Sequence, residues 1–576
     1  MGTLAGDAAA AADVLARARE GTVVLQDFRP LAESLDWELG QHAWASRGSR
    51  AFLADKVPLG PTSDGWLARN AAEVLCTTLD AVGAVPPVIP VLEVGVGHGL
   101  FARAFLGAFQ EICQARGKPY YGRLHYVASD KFHAMLDDLA RHGMLDAHAG
   151  RFQLCRVDAE HIGADLAPLV AQGGAAEGGF CAVFLNYVLD TLPAAVLRLD
   201  EGGASQLHVR TSLARGIDLR DFTRLTAEEV QERARSADPA RRAELVGLYR
   251  VLALACEFRP LELDALPHAP FAVRQGTPGQ YVLHSHSAIE CLEALRARLR
   301  RGGFLLLSDY GQAGPAASKE PWEHQRFGPT AAIGVNFALL GAFFQAMPGC
   351  DWVAPAADPE ALICRLLGWG LDPGVVQTFQ RLFDKAASEW CYRPREKARA
   401  FAKKRHTEAV LDAFAAAVER LGPNWAIFHD AARYLIYTVE DYARGLEMAR
   451  LALAQHPISP ALWNTFGDAL YYLGRKDEAH DAFLRALELN PDDPRAHLNL
   501  SYTHMVRRDP AAALRAVAEG LCCDRAGKLR DSLLKQQQRI LAAITRCHEQ
   551  EERCVANRSG KSWRWDEPGT SGPASA

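Results

Sequence analysis

Glu93 is followed by glycine at every second position after Val94, in Glu93-Val94-Gly95-Val96-Gly97-His98-Gly99, on the end of the apolar run Val88-Ile89-Pro90-Val91-Leu92. The run reads as a short buried strand. Glycine has no Cβ, so such a turn takes backbone angles closed to other residues and lets main chain approach a ligand closely. After Gly99 the apolar positions Leu100, Ala104, Phe105, Ala108 and Phe109 recur at helical spacing, which gives the order strand, glycine turn, helix. A nicotinamide dinucleotide site needs G-x-G-x-x-G, and from Gly95 that requires glycine where the chain has Leu100. A phosphate-cradling P-loop is excluded because no Gly-Lys-Ser/Thr follows.

Three further segments follow in the order that a doubly wound sheet requires. Leu124-His125-Tyr126-Val127-Ala128-Ser129-Asp130 reads as a strand ending in a carboxylate, placed to hold a ribose diol by two hydrogen bonds. The alternative for Asp130 is the N-cap of a helix over 131–140. Phe152-Gln153-Leu154-Cys155-Arg156-Val157-Asp158-Ala159-Glu160 gives a strand and an Asp158-Ala159 pair, suited to an adenine amino group or else a loop aspartate. Phe180-Cys181-Ala182-Val183-Phe184-Leu185-Asn186 carries Asn186 to a strand's carboxyl end, the edge where ligands sit in such sheets.

These four segments resemble the class I S-adenosylmethionine-dependent methyltransferases, in which Glu93, Gly95, Gly97, Gly99, Asp130, Asp158, Ala159 and Asn186 would hold the cofactor. Asn186-Tyr187-Val188-Leu189-Asp190-Thr191-Leu192-Pro193 narrows the resemblance to the MidA family, whose members show Asn-Glu-x-x-Asp-x-x-Pro there. Gly302-Gly303-Phe304-Leu305-Leu306-Leu307-Ser308-Asp309-Tyr310-Gly311, Arg326-Phe327-Gly328 and Gly334-Val335-Asn336-Phe337 are also similar to that family, and the likeness spans roughly residues 25 to 380. It implies methyl transfer to a protein side chain, with arginine the substrate of mitochondrial members that assist respiratory complex I assembly. Here Tyr187 replaces the family glutamate, and a glutamate is the natural bidentate partner of a guanidinium.

Methyl transfer is an in-line displacement that asks for alignment of donor and acceptor and exclusion of water. A protonated acceptor must also lose its proton. Asn186, Asp190, Asp309 and Tyr310 stand at strand ends where they could orient the acceptor or serve as base, with capping and turn chemistry as the alternative for each.

At 576 residues and 49% hydrophobic content, the chain is too long for one ordinary domain, and its net charge of −5 argues against a general nucleic-acid binder. The 13 cysteines are scattered without Cys-x-x-Cys spacing, which fits a reducing, cytoplasmic compartment. The alanine-rich start carries Asp7, Asp13 and Glu20, unlike a secretory or mitochondrial leader, and no long uninterrupted apolar run points to a membrane span. His284 and His286 alternate on Tyr281 to Ser287 as if on one strand face, but no third ligand is near in sequence, so no metal is expected. The basic cluster of Arg393, Arg395, Lys397, Arg399, Lys403, Lys404 and Arg405 reads as a solvated helix face.

Residues 1–85 read as an N-terminal helical or cap region and 86–385 as the mostly parallel, doubly wound Rossmann-like domain. An insertion over about 200–279 contains a helix opened by a Thr226/Glu229 capping box and is read as a lid or substrate platform. Ser287 is read as the start of a helix striped by Leu292, Leu295 and Leu299, leading into a strand from Phe304. Over 386–550 alanine-rich helical periodicity takes over. Trp463, Phe466, Gly467, Ala479, Phe483, Ala486 and Pro491 occupy the spacings of a tetratricopeptide repeat. Gly445, Ala449, Ala452 and Pro457 one period earlier, and Leu500, Ser501 and Ala513 one later, mark weaker neighbours, with Thr407 to Leu421 as a flanking helix. Such an all-α solenoid offers a groove to a protein partner or packs on its own chain. Residues 551–576 read as a disordered tail. The expected function is methyl transfer to a protein side chain with the repeats docking substrate or partner; the alternative is a non-catalytic assembly scaffold.

Overall fold

The structure, a computed structural model, describes residues 23–48, 64–171, 179–320, 325–327, 330–359, 362–404, 406–524 and 527–556. Residues 1–22 and 557–576, and Arg405 of the basic cluster, lie outside the described residues. The chain divides into two compact units, one running to Glu389 and one from Trp390 onward.

The first unit is organised, among the described residues, around a seven-stranded sheet. Its strands in chain order are β1 (Ile89–Val94), β2 (Leu124–Asp130), β3 (Phe152–Arg156), β4 (Phe180–Asn186), β5 (Leu299–Asp309), β6 (Asp351–Val353) and β7 (Ile363–Gly368). In space they run β6-β7-β5-β4-β1-β2-β3. β3, β2, β1, β4 and β5 are parallel neighbours, while β7 and β6 are antiparallel additions. Every residue of β1 and β4 is buried, as expected of parallel strands covered on both faces. Phe101 and Phe105 of the helix Leu100–Ala115 pack edge-on against Phe184 of β4 at 5.3 and 4.9 Å. On the other face Leu92, Val183, Leu185, Leu305 and Leu307 form one core with Ala288, Ile289, Leu292 and Leu295 of the helix His286–Arg296.

A second sheet was not foreseen. Val23–Pro30, Ala195–Asp200, Gly203–Leu213, Leu252–Pro260, Tyr281–His284 and Ala317–Ser318 pair throughout antiparallel. The N-terminal region therefore contributes a strand as well as helices, and the segment between Asp200 and Gly279 supplies two strands of this sheet, Gly203–Leu213 and Leu252–Pro260, with short helices between and after them, including the Thr226/Glu229 capping box as expected. Two local readings need correction. The helix expected at Ser287 begins at His286, with Ser285 at its N-cap and no side-chain cap bond, and Leu299 belongs to β5 because that strand starts before Phe304.

The second unit is helical. After Lys385–Lys403, most of which belongs to it, come Thr407–Leu421, Trp425–Tyr434, Tyr442–Gln455, Pro460–Tyr472, Lys476–Leu489, Pro494–Val506, Pro510–Cys523 and Arg530–Ala556. Ser459, Asp493 and Asp509 each cap a helix whose first residue is proline; the cap satisfies an orphan N–H and the proline has none to satisfy. The last helix extends into the region expected to be a tail. Arg395 and Arg399 of the basic cluster pair with Asp430 at 2.9 Å, so that face is partly ion-paired as well as solvated.

A Cβ on Gly467 would stand 2.5 Å from the Phe483 ring, which explains a small residue where two helices of one repeat meet. Gly467→Ala is expected to lower the stability of the second unit by about 1–3 kcal/mol through overpacking, read as an earlier unfolding transition in urea.

Candidate cofactor and acceptor site

β1 ends at Val94, and the turn that follows takes positive φ at each glycine: 74° at Gly95, 52° at Gly97 and 77° at Gly99. A Cβ on Gly95 would lie 2.6 Å from Val188 Cγ2, so the turn is close-packed as well as left-handed. Val96 N–H donates to Ser129 O at 2.7 Å and Gly97 N–H to Asp130 Oδ2 at 3.1 Å, which ties the glycine turn to the end of β2. The helix after the turn starts at Leu100.

Asp130 is 7% exposed. Its Oδ1 accepts Phe132 N–H at 3.0 Å, and the next helix starts at His133 with Phe132 at its N-cap. Asp130 therefore closes a local turn and is not the helix cap. These backbone bonds leave part of the carboxylate's four lone-pair positions available to a ligand. Burial raises its pKa to about 6, against the pull of the Phe132, Gly97 and Lys131 amides.

Glu93 is 1% exposed, and its pKa is pushed up to about 8 by burial; the Tyr126 hydrogen bond opposes the rise, Asp130 adds to it and Asn186 opposes it. Tyr126 O–H donates to Glu93 Oε2 at 2.7 Å and Ser129 O–H to Glu93 O at 2.7 Å. Asn186 faces Glu93 closely enough to favour its ionised form, yet neither amide atom makes a hydrogen bond of good geometry. A buried amide with both polar atoms unpaired costs free energy unless a ligand satisfies it.

Asp158 follows β3. Its Oδ1 accepts Glu160 N–H at 3.0 Å and its Oδ2 lies 3.4 Å from Lys131 Nζ, while Ala159 beside it is buried. Lys131 also pairs with Glu160 at 2.5 Å. Sequence reading passed over Lys131 and Tyr126: a lysine in a loop carries no spacing signal, and in a strand buried on both faces a tyrosine looks like core.

The remaining candidates gather over β4 and β5. Asp309 is fully buried; its Oδ2 accepts Leu189 N–H at 2.9 Å and Asp190 N–H at 3.2 Å, and its Oδ1 accepts Tyr310 N–H at 2.8 Å. Asp190 is 4% exposed, with Oδ1 unpaired. Burial lifts Asp190 to about 7, and burial together with Asp190 lifts Asp309 well above the carboxylate range. Two adjacent buried carboxyls share protons as a unit. Tyr310 is half-buried, stacked on Tyr187 with centroids 4.9 Å apart and planes at 18°.

Asn336 takes a structural role, donating to Leu283 O and Ala316 O and accepting Leu339 N–H. Gln325–Phe327 pairs with Thr330–Ala332 as a hairpin, and Gly328 lies outside the described residues. His284 ends its strand and His286 opens a helix, so the expected shared strand face does not form; His284 lies within hydrogen-bonding distance of Pro267 O, 2.5 Å away. Among the described residues, no group of three or more His, Cys, Asp and Glu could hold a metal ion.

Glu93, Asp130 and Asp190 all ionise at higher pH in the fold than in the unfolded chain, so folding favours their protonated forms. The stability they contribute is complete below about pH 4 and is lost as pH rises through about 6, 7 and 8. The cofactor-free chain is expected to melt progressively earlier across that interval. Asp190→Asn removes one of these groups and should raise stability at pH 8 by about 1–3 kcal/mol, measured by urea unfolding.

Residues 71–330 match the model of a family described as S-adenosyl-L-methionine-dependent methyltransferase, and residues 464–528 match the tetratricopeptide repeat. A crystal structure from Burkholderia thailandensis, described as a candidate methyl transferase bound to S-adenosyl-homocysteine, is 18% identical with a TM-score of 0.35, covering 57% of this chain and 74% of that one. Curated relatives match a short stretch. The peroxisomal targeting signal receptor of Eremothecium gossypii is 37% identical over 71 residues, 12% of this chain and 12% of the receptor, and that of Candida albicans is 34% identical over 101 residues, 17% and 16%. The chain thus spans less than a fifth of the length of the curated relatives it matches. Asn186's amide without a hydrogen bond of good geometry, the left-handed glycine turn and the partly satisfied Asp130 fit a polar nucleoside cofactor. Residues 71–330 thus carry the match to the S-adenosyl-L-methionine-dependent methyltransferase family, and residues 464–528 of the second unit carry the match to the tetratricopeptide repeat.

Proposed function

We propose that the protein methylates a side chain of another protein, in the manner of the MidA-like enzymes its motifs resemble, with the machinery in about 86–385 and the repeats of about 386–550 docking substrate or partner. The observation that carries this reading is the juxtaposition at one sheet edge of a ligand-hungry amide, Asn186, with a proton-sharing pair, Asp190 and Asp309. Asp130 would accept the ribose hydroxyls, the peptide groups of Gly95, Gly97 and Gly99 would line the cofactor, and Asp158 with Ala159 would meet the adenine. Glu93 would hold the turn and Asn186 in place. S-adenosylmethionine, when bound, supplies a methyl group on a positively charged sulfur.

The rest is done by the chain. Asp190, its Oδ1 unpaired, takes a proton from the acceptor; Asp309 holds the turn at Leu189 and Asp190 and spreads the charge; Tyr310 walls the acceptor side and keeps water out. Repeat solenoids present extended concave surfaces, which supports docking of a protein. No helix among the described residues is long and apolar enough to cross a membrane. The described cysteines are free thiols, in keeping with a cytoplasmic setting. Incubating the full chain with tritiated methyl donor in a cell extract should place label on protein; label on small molecules alone would contradict a protein substrate.

A further inference from the structure

Lys131 follows Asp130 directly at the end of β2, and its side chain reaches across to the loop after β3. Nζ lies 2.5 Å from Glu160 Oε1 and 3.4 Å from Asp158 Oδ2. The Asp158 side chain is only 8% exposed and divides its partners between its oxygens: Oδ1 accepts Glu160 N–H at 3.0 Å, and Oδ2 faces the lysine. His161 Nδ1 also stands 3.5 Å from Oδ2, on a side chain that is 73% exposed. The loop backbone has its own anchor, since Asp158 N–H donates to Asp165 Oδ2 at 2.8 Å. What Lys131 governs is therefore the direction and charge balance of Asp158 Oδ2, and not the course of the main chain.

Two carboxylates, Asp158 and Glu160, share this one ammonium. Without it a largely buried carboxylate would stand beside a second negative charge with only an exposed imidazole near, and a carboxylate out of water is costly unless paired. The 6-amino group of adenine is a hydrogen-bond donor, which a fixed carboxylate oxygen accepts; a 6-oxo purine presents an acceptor there and is repelled. We propose that Lys131 is a positioning residue for nucleobase selection: by pairing with Asp158 it makes the site prefer a 6-amino purine nucleoside to its 6-oxo counterpart. The inference rests on the reading of Asp158 as the adenine contact of the cofactor site. Lys131 itself acts through Asp158 and Glu160.

The test titrates S-adenosyl-homocysteine and S-inosyl-homocysteine, its 6-oxo analogue, calorimetrically into the full chain and its variants. The native chain should bind the adenine compound about thirtyfold tighter, the range of one hydrogen bond to a charged acceptor. Lys131→Met keeps the stem and removes the charge; it should weaken S-adenosyl-homocysteine about tenfold and shrink the preference to about threefold or less. Lys131→Arg should restore the preference, and Glu160→Gln, which breaks the closer ion pair and leaves the Asp158 contact, should retain it. A Lys131→Met chain that weakens both ligands equally is a mere brace and overturns the inference. So does an arginine variant as unselective as the methionine one, loss of the preference in Glu160→Gln, or equal binding of the two ligands by the native chain; the cofactor reading then stands. Failure of S-adenosyl-homocysteine to bind the native chain overturns both.

Discussion

Asp130→Ala is expected to weaken S-adenosylmethionine binding about a hundredfold, the largest loss on the cofactor side. The carboxylate already accepts Gly97 N–H and Phe132 N–H, so its remaining lone pairs are aimed by the fold before any ligand arrives. Hydrogen bonds to a charged acceptor contribute about 1.5–3 kcal/mol each, and two ribose hydroxyls together with a loosened glycine turn bring the loss to about 3 kcal/mol, or two powers of ten. Asp130→Asn keeps an oxygen for the Phe132 turn and removes the charge, and should fall between, near tenfold. Equilibrium dialysis with labelled cofactor checks both; a dissociation constant unchanged in Asp130→Ala would remove the carboxylate from the site.

Asp190→Asn should lower kcat by about a hundredfold or more, the range that loss of a general base produces, while changing the cofactor dissociation constant less than threefold. The amide retains the size of the carboxyl and the backbone N–H that donates to Asp309 Oδ2, so the local turn is preserved. In the native chain the rate should rise with pH through about 7, where burial places Asp190, and level off above. The group must be ionised to accept a proton, so activity is lost on the acid side. The variant should show no such rise. Because Asp190 and Asp309 titrate as a pair, the midpoint belongs to both.

Much of the cofactor side is legible in the sequence because its signals are local. Glycines at 95, 97 and 99, an apolar run before them and a helical stripe from Leu100 report the strand, turn and helix without knowledge of anything distant. The tetratricopeptide helices are legible for the same reason: Ser459-Pro460 and Asp493-Pro494 are starts written in neighbouring residues, and Gly467 answers Phe483 within one repeat. The second sheet was not, since Val23–Pro30 pairs with Gly203–Leu213 across a separation no local pattern reveals, and antiparallel strands with one wetter face mix polar and apolar residues like loops.

Asp309 is the instructive case within the site. Its position at a strand end was evident, but its carboxylate is committed to amides at Leu189 and Asp190, more than a hundred residues away in sequence. That commitment assigns it to holding the turn and leaves the unpaired oxygen to Asp190. Tyr187 likewise showed in the sequence as a departure from a motif, whereas its left-handed backbone and its stacking on Tyr310 appear only in three dimensions.

A crystal structure of the full chain grown with S-adenosyl-homocysteine tests the site most directly. The ribose should lie against the Asp130 carboxylate, the ligand should run along the peptide groups of Gly95 to Gly99, and Asn186 should have gained hydrogen-bond partners. A ligand bound elsewhere, or a glycine turn still packed against its own side chains with Asn186 unpaired at saturating ligand, would contradict it.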